Sequence, residues 1–223
     1  MCTPSCLAFI KDHLTESDIR GRSVLEVGAL DVNGSARAIV TAFGPTSYLG
    51  VDMQDGPGVD EVCSAEGLIA RFGADRYDVV FSTEMLEHVF DWRSVLHNLK
   101  GVLKPGGLLL VTTRSYGFGY HAYPYDFWRY QLDDMRVLFS DFEITHLVDD
   151  PLSPGVFLRA RKPEPFVEAD LAGHALYSMI IRRRGLSVST GDITRFHARR
   201  HILQPFRAIE RGVRQVRDRI KGR

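Results

Sequence analysis

Through the first 160 residues, short apolar and β-branched runs alternate with stretches whose apolar positions recur at three and four. That is the pattern of βαβ units around a parallel sheet. Strands are expected at Ser23 to Val27, Ser47 to Val51, Val59 to Val62, Tyr77 to Ser82 and Leu108 to Thr112. Helices are expected at Pro4 to Leu14, Ser35 to Phe43, Ala65 to Phe72 and Trp92 to Leu103. The last is stopped by Lys104-Pro105-Gly106-Gly107, and the apolar run Leu108 to Val111 behind it reads as a central strand covered on both faces. An aromatic segment, Tyr116 to Tyr130, precedes a short helix at Asp133 to Phe139. Strands at Glu143 to Asp149 and Val156 to Ala160 follow, joined by Pro151-Leu152-Ser153-Pro154-Gly155, a link short enough for an antiparallel return. The expectation is an α/β fold: a doubly wound, seven-stranded sheet, mostly parallel, with an antiparallel end strand.

The 223 residues, 44% hydrophobic and 25% charged, suit a folded globular chain and exclude collagen-like, disordered and disulfide-scaffold classes. No uncharged apolar run approaches the roughly 18 residues of a spanning helix, so neither secretion nor membrane insertion is expected. Cys2, Cys6 and Cys63 are an odd set for a disulfide framework and fit reduced thiols in a cytoplasmic protein; no Cys/His cluster marks a metal site at Cys2 and Cys6. The zero net charge hides an asymmetry, with 13 Lys+Arg against 3 Asp+Glu from Arg182 to Arg223. The chain is therefore read as a main domain over 1–164, including the N-terminal helix, and a basic, helical C-terminal extension over 165–223.

In an open parallel sheet, ligands bind beyond the carboxyl ends of the strands. The first expected strand ends Glu26-Val27-Gly28, and Asp31 and Asn33 lie in the turn that follows; the second ends Gly50-Val51-Asp52. Gly28 permits a tight turn and close approach of a ligand, and Asp52 is placed to accept from two ribose hydroxyls. The next glycine after Gly28 is Gly34, so the G-x-G-x-x-G pyrophosphate cradle is poor. Glu26 would repel a phosphate but could hold an ammonium. A ligand with a ribose and a cationic amino-acid end fits better than NAD.

Two further blocks, Tyr77 to Val89 with Thr83-Glu84-Met85-Leu86-Glu87-His88 inside it, and Leu103 to Val111, join these turns in order and spacing. With them the chain resembles the class I S-adenosylmethionine-dependent methyltransferases, in particular the small bacterial type 11 methyltransferase domain, over residues 20 to 161. The resemblance implies a Rossmann-like sheet and S-adenosylmethionine as cofactor. It implies that Glu26 and Gly28 hold the methionine end, that Asp52 takes the ribose, and that Met53 packs on the adenine. Ala65 and Glu66 would lie near the adenine edge, and Thr83 and Glu84 by the sulfonium. The departure is in the first loop, where Leu30 and Val32 occupy positions that are commonly glycine in the family, and where Asp31 or Asn33 could supply a side-chain contact instead.

Methyl transfer from a sulfonium needs in-line placement, and a hydroxyl acceptor also needs a base. His88 and His121 are the candidates, each with a structural hydrogen bond as the alternative reading. Asp126 and Arg129, set among the aromatics of Tyr116 to Tyr130, suit a sugar ring, unless that segment is only a lid on the cofactor. The expected activity is methylation of a small-molecule or glycan-type acceptor, at oxygen. The alternatives are a nucleic-acid methyltransferase, disfavoured by the acidic body, and a non-catalytic cofactor-binding scaffold. Leu203, Phe206, Ile209, Val213, Val216 and Ile220 form one helical stripe among arginines, which could dock on the body or on a partner, bind RNA as the handle of a nucleic-acid methyltransferase, or lie on an anionic membrane surface at the cytoplasmic face.

Overall fold

The computed structural model describes residues 3–122 and 125–200. In chain order the elements are α1 (Pro4–His13), α2 (Glu16–Ile19), β1 (Ser23–Val27), α3 (Arg37–Thr41), β2 (Ser47–Asp52) and β3 (Glu61–Val62). A 3-10 turn at Ala65–Gly67 leads into α4 (Leu68–Phe72), then β4 (Tyr77–Thr83), a second 3-10 turn (Leu86–His88), α5 (Trp92–Val102) and β5 (Leu103–Arg114). The remainder is β6 (Trp128–Arg129), α6 (Leu132–Leu138), β7 (Glu143–Asp149), β8 (Gly155–Arg161), β9 (Leu176–Ser178) and β10 (Arg183–Gly185).

Seven strands form one sheet in the order β3-β2-β1-β4-β5-β8-β7. β1 pairs in parallel with β2 and β4, and β4 with β5, so the chain winds outward in both directions from β1 and β4. The antiparallel strand is β8, held between β5 and the edge strand β7. Strand alternation explains why helices cover both faces. Leu25, Val80, Leu109 and Val111 point into a core shared with α4, α5 and α6. Val24, Val79, Phe81, Leu108 and Leu110 point into a second core under α1, α2 and α3.

Most expected elements appear, with informative differences. Only Arg37–Thr41 of the expected Ser35 to Phe43 helix forms, because Ala36 at its start offers no side-chain cap. Val59 is not in a strand; its N–H closes a turn on the Gly56 carbonyl. The stop at residues 104–107 is looped out of β5, between Leu103 opposite Tyr77 and Leu108 opposite Val79.

The expectation of a helical extension from residue 165 is corrected. β9 and β10 form a second, three-stranded sheet with β6, in the order β10-β9-β6. Leu171, Leu176, Ile180 and Val188 join the main core. Helix begins only at residue 190 and continues to 200 within the described part. The apolar stripe from Leu203 to Ile220, and Cys2, lie outside the described residues. Among the described residues no helix is long and apolar enough to cross a membrane.

Candidate functional site

A cleft of about 640 Å³ opens at the carboxyl ends of β1, β2 and β4. Its wall includes Gly28, Leu30 and Val32 after β1, Asp52, Met53 and Gln54 after β2, Ser64, Ala65 and Glu66, then Glu84, Met85 and His88 after β4. The lining also includes an apolar set, Val89, Phe90, Val95, Tyr125, Phe127 and Ile193.

The first turn is built by close approach. Gly28 has φ +84°, and its N–H donates to the Val51 carbonyl at 2.9 Å. A Cβ there would stand 2.9 Å from Met85 Cβ and Cγ. The glycines missing from the first loop are replaced by glycines in the loop facing it. A Cβ on Gly56 would lie 2.5 Å from Leu30 Cδ1, and one on Gly58 2.5 Å from the Ala29 carbonyl oxygen. Leu30 and Val32 therefore line the cleft without closing it.

Asp52 Oδ1 accepts from Gln54 N at 3.0 Å and Oδ2 from Leu30 N at 3.3 Å, which fixes the carboxylate where it borders the cleft. Met53 beside it is 64% exposed, an apolar ledge available to a flat ring. Ser64 Oγ donates to Glu66 Oε2 at 2.7 Å and orients that side chain at the same end. Gly28, Asp52, Met53, Ala65, Glu66 and Glu84 are thus brought to one cavity.

Other expected site residues stand apart from its wall. Glu26 is 2% exposed and takes a short hydrogen bond from the Tyr48 hydroxyl. Burial drives its carboxyl up to about 7 against the Tyr48 hydrogen bond and the Arg37 charge. Asp31 Oδ1 accepts from Gly34 N at 2.8 Å and shapes the loop, beside the exposed Asn33. Thr83 is buried at the end of β4.

Glu84 has a left-handed backbone, φ +53°, which is costly for a residue with a Cβ and is held by its N–H donating to the Thr112 carbonyl at 2.9 Å. Its carboxylate forms a buried ion pair with Arg114 and accepts from Cys6 Sγ at 3.3 Å. Burial, then the Glu87 charge, raises its carboxyl to about 7.

The histidines differ. His88 Nδ1 lies 2.6 Å from the Tyr125 carbonyl oxygen, which can only accept. That nitrogen therefore carries the proton, and in the neutral ring Nε2 has the free lone pair. His121 is not part of the cleft wall; its Nδ1 is 3.2 Å from Asp126 Oδ2 and its Nε2 3.6 Å from Glu87 Oε1. Burial would lower its pKa, but Asp126 and Glu87 outweigh that and raise it to about 9.

Asp126 and Arg129 do not present themselves to a sugar ring. Both side chains are fully buried, and the guanidinium grips both carboxylate oxygens, at 2.5 and 2.7 Å, while donating to the carbonyls of Trp128 and Gly119. Their charges are consumed in fastening the segment. Its aromatics do likewise: Trp128 Nε1 donates to the Phe90 carbonyl and Tyr130 Oη to the Leu86 carbonyl. Among the described residues of this segment, Tyr125 and Phe127 reach the cleft. Thr190, Ile193 and Thr194, on the helix that begins at residue 190, also line the cleft. Sequence reasoning missed these because nothing local to residues 190–194 marks their return to the mouth of the sheet.

Comparison with known proteins agrees with this architecture. Residues 5–150 match the methyltransferase domain family. Over 120 residues the chain is 32% identical to a ubiquinone biosynthesis O-methyltransferase of Azotobacter vinelandii, covering 49% of this chain and 50% of that protein. The chain spans about a quarter to about half the length of the curated relatives it matches. Among solved structures, an S-adenosylmethionine-dependent methyltransferase from Mesorhizobium loti superposes with a TM-score of 0.54 at 16% identity, covering 70% of this chain and 96% of that one. A Burkholderia thailandensis 1,6-didemethyltoxoflavin-N1-methyltransferase, solved with S-adenosylhomocysteine, gives 0.54 at 17% identity, covering 72% and 77%. A sheet ordered 3-2-1-4-5-8-7, a glycine turn after β1, an acid after β2 and a family match over residues 5–150 have one common meaning: the chain belongs to the class I S-adenosylmethionine-dependent methyltransferases.

Proposed function

We propose that this chain transfers the methyl group of S-adenosylmethionine to an oxygen of a small, flat, apolar acceptor, of which a phenol is the type. The observation that carries the reading is one continuous cleft with two kinds of wall. Gly28, Asp52, Met53 and Glu66 line it from the turns after β1, β2 and β3, and the rings of Phe90, Tyr125 and Phe127 with Val95 and Ile193 give it an apolar lining as well.

When bound, the cofactor supplies a methyl on positively charged sulfur with a thioether as leaving group. The residues supply placement, the larger part of such catalysis. Asp52 would accept from two ribose hydroxyls, Met53 would pack on the adenine, and the close backbone approach at Gly28 would admit the rest of the cofactor. The aromatic lining orients an acceptor ring and excludes water. His88, held through Nδ1 by the Tyr125 carbonyl, stands on the cleft wall with its Nε2 3.9 Å from Glu87 Oε1.

Oxygen as the methylated atom draws support from the relatives named ubiquinone biosynthesis O-methyltransferase, among them the human mitochondrial protein, 31% identical over 93 residues. A glycan acceptor has less support, because Asp126 and Arg129 satisfy each other. The test is transfer of a labelled methyl group to three acceptor panels: phenols, nucleotide sugars and short RNAs. Label on phenols is expected; label confined to sugars or RNA would overturn the reading.

A further inference from the structure

Beside the cleft, three side chains converge in a way that methyl transfer alone does not require. Glu87 is fully buried at the second 3-10 turn. One of its oxygens, Oε2, accepts from Thr113 Oγ1 at 2.8 Å. The other, Oε1, has no hydrogen-bond partner, and it stands 3.6 Å from His121 Nε2 and 3.9 Å from His88 Nε2. Among the described residues no Lys or Arg pairs with this carboxylate; its ion-pair contacts are these two imidazoles. The positive charge that this buried carboxylate needs is supplied by a proton on His121, whose pKa Asp126 and Glu87 raise to about 9, and a cation bound here would displace that proton.

The orientation of the rings says what kind. His88 is tied through Nδ1 to the Tyr125 carbonyl oxygen at 2.6 Å, and His121 is placed by its backbone N–H, which donates to Asp126 Oδ2 at 2.9 Å, with Nδ1 3.2 Å from the same oxygen. Both Nε2 atoms are thereby turned to the same point as Glu87 Oε1, and the donor atoms of the three residues lie within 4.8 Å of one another. Backbone carbonyls and carboxylates on the far nitrogen are the supports that orient histidine ligands, and Thr113 supports the carboxylate in the same way. Metal–ligand bonds of about 2.1 Å need donors roughly 3 to 3.5 Å apart, a contraction that small side-chain rotations supply.

We propose that Glu87, His88 and His121 form a binding site for a divalent transition-metal cation at the edge of the cleft. Two imidazole nitrogens and one carboxylate oxygen are a donor set for zinc, iron, cobalt or manganese rather than for calcium or magnesium. Three protein ligands leave positions open, and His88, on the cleft wall, places the site beside the cleft. Resting on the reading of the cleft as a methyl-transfer site, the role follows from charge. A hydroxyl oxygen bound to the cation gives its proton to solvent, then donates an electron pair to the methyl carbon as the carbon–sulfur bond breaks towards sulfur, leaving a methyl ether and a thioether.

The test is titration of the metal-free full chain with Co2+, read by visible absorption, and with Zn2+, read by calorimetry, with no acceptor present. One equivalent should bind, with ligand-field bands of a low-coordinate nitrogen and oxygen site, and affinity should fall at least tenfold in both Glu87→Gln and His121→Gln. His121 is partly exposed, so its variant keeps the test informative if the buried Glu87→Gln chain does not fold. Absence of saturable binding, or binding that neither substitution weakens, would overturn the proposal. S-adenosylhomocysteine binding by the same wild-type preparation is read separately, so failure of the metal site and failure of the methyl-transfer reading are distinct results.

Discussion

Gly28 and Met85 meet across the mouth of the sheet so closely that a Cβ on Gly28 would stand 2.9 Å from the Met85 side chain. The turn after β1 and the turn after β4 are thus fitted to each other, and Gly28 holds φ +84° to achieve it. Gly28→Ala should cost about 1 to 2 kcal/mol of stability from the left-handed backbone alone, with a further loss of cofactor affinity as Met85 is displaced. Gly67→Ala is the contrast, since no atom lies within 4 Å of its Cβ position. Chemical denaturation of both variants checks this; equal stability would show that the two turns are not coupled.

Asp52 is held by Leu30 N and Gln54 N with its carboxylate bordering the cleft. Asp52→Ala should weaken binding of S-adenosylhomocysteine by about 1 to 3 kcal/mol, the scale of charged hydrogen bonds. Unchanged calorimetric affinity would place the ribose elsewhere.

Glu26 yields a pH dependence. Its carboxyl is raised from the ordinary 4.5 to about 7, chiefly by burial, so the folded chain binds its proton more tightly than the unfolded chain does. The stability owed to this proton is present below 4.5 and is lost as pH rises towards 7. Glu26→Gln, which stays neutral, should gain on the wild type across that window, by roughly 3 kcal/mol at most, and the gain should level off above it. Unfolding curves from pH 4 to pH 8 measure the difference; a flat difference would mean that Glu26 titrates alike in the folded and unfolded chain.

Lys100 is fully buried on α5, with Nζ 2.7 Å from the Leu138 carbonyl and 2.8 and 2.7 Å from the two Asp141 oxygens. Asp141→Ala strands that ammonium and should destabilise the fold by about 3 to 5 kcal/mol, whereas Lys100→Met in the Asp141→Ala background should recover part of the loss. Thermal unfolding of the single and double variants separates an unpaired charge from lost packing.

The central sheet was legible because buried strands write themselves as unbroken apolar runs. Leu108 to Val111 can only be covered on both faces, and Gly28 and Asp52 stand at fixed offsets from strand ends. Residues 165–188 were not legible, because β6, β9 and β10 hold two or three residues each and β9 is anchored by pairing with β6 across some fifty positions. Asp126 and Arg129 show the same limit at the site. Their types suggested a ligand, but their i, i+3 spacing closed them on each other within the core. Glu87 and His121, thirty-four positions apart, come together only because β5 and the segment after it return to the turn that follows β4.

The most direct test of the account is calorimetric titration of the purified chain with S-adenosylmethionine and S-adenosylhomocysteine, with NADH in parallel. Micromolar binding of both adenosyl compounds at one site per chain, with none for NADH, is the predicted result. Binding of NADH alone, or of none of the three, would contradict the assignment of the Gly28 and Asp52 cleft as the methyl-donor site.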